Sequence, residues 1–459
     1  MVVQPKKDTR VFRLVASKII DCEIKHLDYR IDYENASAQF FVDPKKVKTK
    51  EFLPALRGCL ESAYSWDIDY LSFVEATKTG LKSFELELCL RGLIDSILRT
   101  PKKYLHAKKQ KPKKTCRQIQ LIGLKSASKE ITNILSCENQ IKDWSELPPN
   151  ILDAEKFVAE IISCSRELNI DYEVLNWDEL NLKGFNLTCA VGQNKRNSYL
   201  VTLRESKERR EKKKDRKRIV IIGKGICFDT GGLSIKTGGN MVGMKFDMTG
   251  AGLVAAIFFA LAKNKFSDKH EVIAVLPISE NLIGSDSIKV DSVIQSYGGK
   301  FIEISNTDAE GRLLLAEAIS YAAKDLEASE IITVATLTGA VGYALGKKYA
   351  GAWSSSEENW KRFNFLADYT GEHVWRLPLD KYYLEKLKSS IAELKNSATT
   401  GVGGASRAAT FLAEFRDNKD FIHLDIANVS SSSGNSCVAL APLFKTIYFY
   451  LKGERSSVK

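Results

Sequence analysis

The chain contains no His-Glu-x-x-His and no Cys-x-x-Cys, and its five histidines (26, 106, 270, 373 and 423) include no close pair. These absences exclude the helical zinc-protease motif and the cysteine-clamped zinc folds. The nine cysteines, at 22, 59, 89, 116, 137, 164, 189, 227 and 437, are odd in number and dispersed. No disulfide framework is legible, and the reduced thiols of a cytoplasmic protein are expected. There is no Gly-x-x-x-x-Gly-Lys-Ser/Thr phosphate loop, and Phe228 stands where a dinucleotide fingerprint begun at Gly223-x-Gly225 needs glycine. Asp229-Thr230-Gly231 has no second Asp-Thr-Gly partner, which removes the paired-aspartate protease. Neither Ser234 nor the run 430–433 sits in a nucleophile elbow. The longest apolar run, Val254 to Ala262, falls short of the roughly 20 residues that span a bilayer. MVVQPKKDTR lacks the apolar core of a secretory signal, so no membrane association is expected.

What is present is a long, moderately basic chain. Its 459 residues suggest two domains, and 44% hydrophobic residues suffice for substantial cores. The net charge of +11 is concentrated in 101–117 and 206–218. Such patches admit a nucleic-acid reading, but neither interleaves aromatics that would stack bases. The first reads as a surface linker. The second lies between the apolar runs 199–203 and 219–222, a pattern that predicts an exposed hairpin loop.

Residues 1–145 form a smaller N-terminal α/β domain in this reading, with a helix near 83–99. Helices are expected near 129–141, 156–167, 250–263, 313–323, 382–395 and 405–415. Strands are expected at 199–203, 219–222, 270–276, 331–335 and 421–426. Strand–helix alternation after the Leu147-Pro148-Pro149-Asn150 break predicts a C-terminal domain, 146–459, with a central, largely parallel mixed sheet flanked by helices.

The chemistry concentrates in two stretches. Asn306-Thr307-Asp308-Ala309-Glu310-Gly311-Arg312-Leu313 places two carboxylates and a guanidinium at i, i+2 and i+4. In an extended segment these three side chains leave one face. Thr307-x-x-Glu310 also fits a capping box ahead of the helical run from Leu313. Upstream lie Lys224, Asp229, Lys236 and Asp247, in GKGICFDTGGLSIK and the MKFD after it. Asp229, Asp247, Asp308 and Glu310 supply four negative charges, which two divalent cations would balance, and hard oxygen ligands suit Mg, Mn and Zn. A lysine among them either ligates as the neutral amine or stays charged and stabilises an oxyanion.

These stretches resemble the leucyl aminopeptidase family of di-metal exopeptidases. NTDAEGRL and GKGICFDTGGLSIK carry the resemblance, with AVLPISEN, VATLTGA, YAGAWSS, GGASRAATFL and HLDIA at 274–281, 334–340, 349–355, 403–412 and 423–427. It covers roughly residues 145–450. The resemblance implies two divalent ions (Zn, Mn, Mg or Co) held by Lys224, Asp229, Asp247, Asp308 and Glu310. It implies that Lys236 polarises the scissile carbonyl and that Arg312 holds a bicarbonate ion serving as general base. It places Met244, Thr336 and Gly339 in the substrate pocket. It further implies peptide substrates with an apolar, Leu- or Met-like first residue, and a homohexamer built as a dimer of trimers. Asn428, where the family has glycine after HLDIA, and Arg407, where it has a small residue, depart from the pattern. Two other readings compete: a nucleic-acid-binding relative and a catalytically inactive scaffold.

Overall fold

The computed structural model describes the strands at 27–32, 37–42, 70–75 and 118–122, and residues 129–213, 216–398, 402–432 and 438–453. The helix expected at 83–99 and the basic segment 101–117 lie outside the described residues. The chain divides into two compact units, Met1–Leu135 with Asp368–Gly371, and Ser136–Ala367 with Glu372–Lys459. The first contains a four-stranded sheet of β1 (Leu27–Asp32), β2 (Ser37–Val42), β3 (Tyr70–Glu75) and β4 (Gln118–Ile122), in that order. Its first pair is antiparallel and the others are parallel.

The second unit is built on a nine-stranded sheet. Its centre is parallel: β16 (Asp420–Asp425), β12 (Glu330–Ala335), β7 (Lys217–Gly223) and β9 (His270–Asn281) lie side by side. β8 (Gly225–Asp229) also pairs parallel with β9. On one side β6 (Tyr199–Arg204) and β5 (Asp171–Leu175) continue antiparallel. On the other, β13 (Ala350–Ser354) runs antiparallel to β16 and carries β14 (Val374–Arg376). The central strands read IVII, IITV and VIAVL because both faces are covered. Two helices do much of the covering: α6 (Thr249–Lys263) and α7 (Gly311–Lys324), both almost wholly buried. Among the described residues, Met244–Lys263 is apolar and long enough to cross a membrane, yet its residues are packed inside the fold.

Two expectations are corrected. The segment 206–218 is not a hairpin, because β6 and β7 pair with opposite sides of β9 rather than with each other. The link contains a short helix, α5 (Lys207–Lys212). Its arginines are engaged: Arg209 and Arg216 each reach the buried Glu205 at 2.9 Å, and Arg210 reaches Asp171 at 2.8 Å. The helix expected at 382–395 is instead a 3₁₀ turn, Lys381–Leu387, followed by the two-residue strand β15 (Leu394–Lys395). Leu394 is buried opposite Ile302 of β11 (Phe301–Glu303), and this pairing overrides helical propensity. β10 (Val293–Gln295) completes this small sheet.

The core holds several polar residues with definite tasks. Glu317, on α7, is fully buried and accepts the backbone N–H groups of Leu187 (2.9 Å), Thr188 (2.8 Å) and Tyr297 (3.1 Å). The first two open the short helix α4 (Asn186–Val191), whose initial amides have no partner of their own. Glu317→Ala is expected to lower stability by about 1–3 kcal/mol, since two buried donors and one partly buried donor lose their acceptor. Glu317→Gln, which keeps one oxygen, is expected to cost less; equal denaturant midpoints for wild type and the alanine variant would refute the role.

His423, at the centre of β16, is stacked on Trp353 and hydrogen-bonded through Nδ1 to the Thr333 hydroxyl at 2.8 Å. Burial pushes its pKa down to about 3. The unfolded chain takes up a proton near pH 6.5, whereas the folded chain resists it, so stability falls as pH drops through that range. The slope from this residue is at most about 1.4 kcal/mol per pH unit. Urea unfolding at pH 7 and pH 5 is expected to show a smaller pH-dependent loss in His423→Asn than in wild type.

Candidate metal centre

The functional side chains gather at the carboxyl ends of the parallel strands, where open α/β sheets form their binding crevices. Lys224 follows β7, Asp229 ends β8, Asn281 ends β9, Thr336 follows β12 and Asp425 ends β16. Asp247 sits in the 3₁₀ turn Met244–Met248 that leads into α6. Asp308 and Glu310 lie in the turn between β11 and α7, and Arg312 in the first turn of α7.

The turn departs from both local expectations. Residues 306–310 are not extended, and Glu310 takes helical angles (φ −71°, ψ −40°) as the residue before α7. No capping box forms. The Thr307 hydroxyl donates to the Gly231 carbonyl at 2.6 Å and accepts from Ser234 N–H at 2.8 Å. It ties the Asp308–Glu310 turn to the Asp229–Lys236 loop instead. That tertiary bond is what brings the two sequence motifs together.

Asp229, Asp308 and Glu310 each offer a carboxylate oxygen within 4.8 Å of the others. Lys236 Nζ lies 2.8 Å from Asp229 Oδ2 and 2.6 Å from Asp308 Oδ1. Lys224 Nζ lies 2.8 Å from Asp247 Oδ2 and 3.1 Å from Glu310 Oε1, and it donates to the Thr336 carbonyl at 2.9 Å. Glycine at 311 leaves room for Lys224: a Cβ there would lie 2.5 Å from Lys224 Cε, and the lysine would have to shift. Gly231 is similarly required. Its φ is +86°, and a Cβ would lie 2.8 Å from Asp308 Oδ1.

Four carboxylates therefore meet two ammonium groups, leaving an excess of negative charge in a buried space. Burial and then the neighbouring Asp229 push Glu310 up to about 8. Burial raises Asp247 to about 6 against the pull of Lys224, and burial also raises Asp308. Both lysines are held above their ordinary value, because the surrounding carboxylates outweigh burial. Glu310 Oε2 is buried without a hydrogen-bond partner. A crowded set of hard oxygen donors with an orphaned carboxylate oxygen fits divalent cations.

Two of the ligand candidates, Asp229 and Asp247, are braced by hydrogen bonds. Asp229 Oδ1 accepts from Gly231 N–H and from the Asn281 side chain, both at 2.8 Å, and Asn281 also donates to the Thr307 carbonyl at 3.1 Å. The Thr336 hydroxyl donates to Asp247 Oδ1 at 2.8 Å. Asp425, raised to about 6 by burial, accepts from Leu337 N–H at 3.1 Å and the Thr338 hydroxyl at 2.7 Å, shaping the loop before Gly339. Arg312 donates through Nη1 to the Asn396 carbonyl at 2.8 Å, its Nε has no partner, and burial lowers its pKa to about 10.

Of the pocket candidates, Met244 is half-buried and Gly339 is exposed with open space where a Cβ would stand, while Thr336 is committed to Asp247. Asn428 is a clamp, donating to the carbonyls of Gly346 and Tyr349 behind the short helix α8 (Ala340–Leu345). Arg407 is buried on α10 (Gly404–Ala413). Asn281 was not singled out from sequence. A polar residue ending the apolar run of β9 is the signal that could have marked it.

Comparison with known proteins identifies the family. The catalytic-domain profile of the cytosol aminopeptidase family matches residues 139–441. A probable cytosol aminopeptidase of Mycoplasma pneumoniae is 42% identical over 307 residues, covering 67% of this chain and 68% of the relative. One from Mycoplasma genitalium is 41% identical over 305 residues, covering 66% and 67%. Among solved structures, the cytosol aminopeptidase of Coxiella burnetii superposes with a TM-score of 0.74 at 26% identity, covering 83% of this chain and 81% of that one. The leucyl aminopeptidase of Leishmania major, solved in complex with actinonin, gives 0.75 at 26% identity, covering 88% and 79%. The profile match takes in more than half of the chain and encloses every residue of the carboxylate cluster, so the chain belongs to the cytosol aminopeptidase family and is a peptidase hydrolase.

Proposed function

We propose that this chain removes single residues from the N-termini of peptides, using two divalent cations held by Lys224, Asp229, Asp247, Asp308 and Glu310. The observation that carries the reading is the excess of buried carboxylates over ammonium groups around Glu310. When bound, a pair of divalent ions polarises the scissile carbonyl and acidifies the attacking water.

The chain's own residues divide the remaining work. The two lysines differ in exposure: the Lys224 side chain is 3% exposed and Lys236 is 14%. Lys224 is enclosed by Asp247, Glu310 and the Thr336 carbonyl, and would serve as a ligand by giving up its proton as cations enter. Lys236 keeps its proton and lies beside Asp308, whose side chain is 33% exposed. From there its Nζ can donate to the carbonyl oxygen as negative charge develops on it. Arg312, with its unpartnered Nε, supplies a fixed cation for bicarbonate, the proposed general base. Asp247 would receive the substrate's free α-amine, which explains cleavage from the N-terminus alone.

Lys236→Ala is expected to lower kcat by about 10² or more with metal content unchanged, because an oxyanion donor acts in the transition state. Lys224→Ala is expected to lose metal from one site first. Metal analysis and steady-state kinetics on both variants test the division, and exchanged phenotypes would refute it.

Half-buried Met244 and the open space beside Gly339 support preference for Leu- and Met-like first residues. Burying such a side chain contributes about 1.5–3 kcal/mol, whereas a carboxylate would enter unpaired. A panel of aminoacyl reporter amides is expected to rank Leu and Met above Asp and Glu; the reverse order would overturn the pocket assignment.

A further inference from the structure

Asn396 is completely buried, yet both polar atoms of its side chain are directed at the turn that bears the candidate metal-binding carboxylates. Its Oδ1 accepts the Ser305 N–H at 2.9 Å, the Ser305 hydroxyl at 3.2 Å and the Asn306 N–H at 3.2 Å. Its Nδ2 donates to the Asn306 carbonyl at 2.7 Å and more weakly to the Ala309 carbonyl at 3.4 Å. Its main-chain carbonyl accepts from Arg312 Nη1 at 2.8 Å. One residue therefore touches the backbone on both sides of Asp308 and the guanidinium of Arg312.

The topology explains how it gets there. β15 is only two residues long and pairs parallel with β11, the strand that leads into the turn. Asn396 is the next residue, anchored by its own N–H to the Glu303 carbonyl at 2.9 Å. The pairing is fastened on both sides. Lys395 meets Glu303 at 3.1 Å, and the Ser305 hydroxyl donates to the Ser397 carbonyl at 2.6 Å. A two-residue strand, anchored by the buried Leu394, thus delivers one carboxamide to a fixed place. An apolar residue there would leave the N–H groups of Ser305 and Asn306 and the Asn306 carbonyl without these buried partners.

We propose that Asn396 is a positioning residue of the hydrolytic centre. Its carboxamide sets the backbone from which Asp308 and Glu310 project, and its carbonyl sets Arg312. The two carboxylates and the anion-facing arginine are thereby held in register from outside the cluster. Repulsion between Asp229, Asp308 and Glu310 would otherwise favour spreading the turn, so a fixed backbone is required before cations arrive. This assignment rests on the aminopeptidase reading above and extends it to a residue that touches neither cation nor substrate. Residues that orient metal ligands typically contribute about 10–100-fold to metal affinity or activity.

The test compares wild type with Asn396→Ala, titrating the metal-free proteins with Mn²⁺ by calorimetry and measuring turnover of leucine p-nitroanilide at saturating Mn²⁺. The variant is expected to bind Mn²⁺ about 10–100-fold more weakly and to lose at least about tenfold in kcat, with KM within about threefold. A residue that only supported the fold would lower the melting temperature while leaving Mn²⁺ affinity and kcat of the folded protein unchanged, and that result would overturn the proposal. Asn396→Asp keeps the size and the acceptor oxygen but not the donor, and provides the same readout if the alanine variant does not fold. It is expected to be impaired on both measures, and wild-type behaviour from it would equally overturn the assignment. Wild-type protein that neither binds Mn²⁺ nor cleaves the amide would overturn the hydrolytic reading itself and this one with it.

Discussion

Mutual repulsion among Asp229, Asp247, Asp308 and Glu310 is the constraint around which the rest of this unit is arranged. Burial, with the neighbouring carboxylates, raises the pKa of Asp247, Asp308 and Glu310, and cations would relieve the crowding. Lys224 and Lys236 compensate part of it, each bridging two carboxylates. The remainder is an unmet demand for positive charge, and it makes the cluster a candidate for binding cations. Two of the carboxylates are held from behind, and the turn that carries the other two is tied to its neighbour. Gly231 and Asn281 fix Asp229, Thr336 fixes Asp247, and Thr307 couples the Asp308 turn to the Asp229 loop.

The sheet supplies the rigidity these braces need. Its four central strands are parallel and covered on both faces, so their carboxyl ends occupy set positions relative to one another. Lys224 shows the connection directly. Its N–H donates to the Val334 carbonyl and its own carbonyl accepts from Ala251 N–H, so the residue joins β7, β12 and the start of α6 before its side chain reaches the site. Helix α7 contributes through its amino end, where Glu310 precedes the first turn. Unpaired amides and the helix dipole there favour negative charge and offset part of the crowding.

The polar groups of the core belong to the same economy of space. Glu317 closes the start of α4 from the middle of α7, and His423 fills the centre of β16 between Thr333 and Trp353. Both sit in elements that carry the site, so the stability of the frame and the geometry of the cluster are linked through α7 and β16. The basic segment 206–218 belongs to the frame as well. Buried Glu205 gathers Arg209 and Arg216, which turns a run of charge into a pinned connection between β6 and β7.

By itself the sequence determined the parallel α/β character, through the uninterrupted apolar runs of β7, β9 and β12, and it pointed to the candidate ligands, through clustered carboxylates and lysines in motifs that resemble those of a di-metal peptidase family. Both are properties of local pattern: burial on two faces removes alternation, and the carboxylates and lysines stand clustered in short motifs. The helix at 382–395 and the hairpin at 206–218 were misread from the same kind of local pattern. Local periodicity knows nothing of the partner strand, and in both places pairing with β11 or β9 decided the outcome. The pairing of Lys224 with Asp247 and Glu310 and of Lys236 with Asp229 and Asp308, the use of Thr307 as a tie rather than a cap, and the supporting roles of Asn281, Thr336 and Asn396 were decided by tertiary structure alone. Apart from the contact between Lys236 and Asp229, these depend on side chains that meet across tens of residues of sequence, and a hydrogen bond of that kind leaves no trace in the order of the residues that make it.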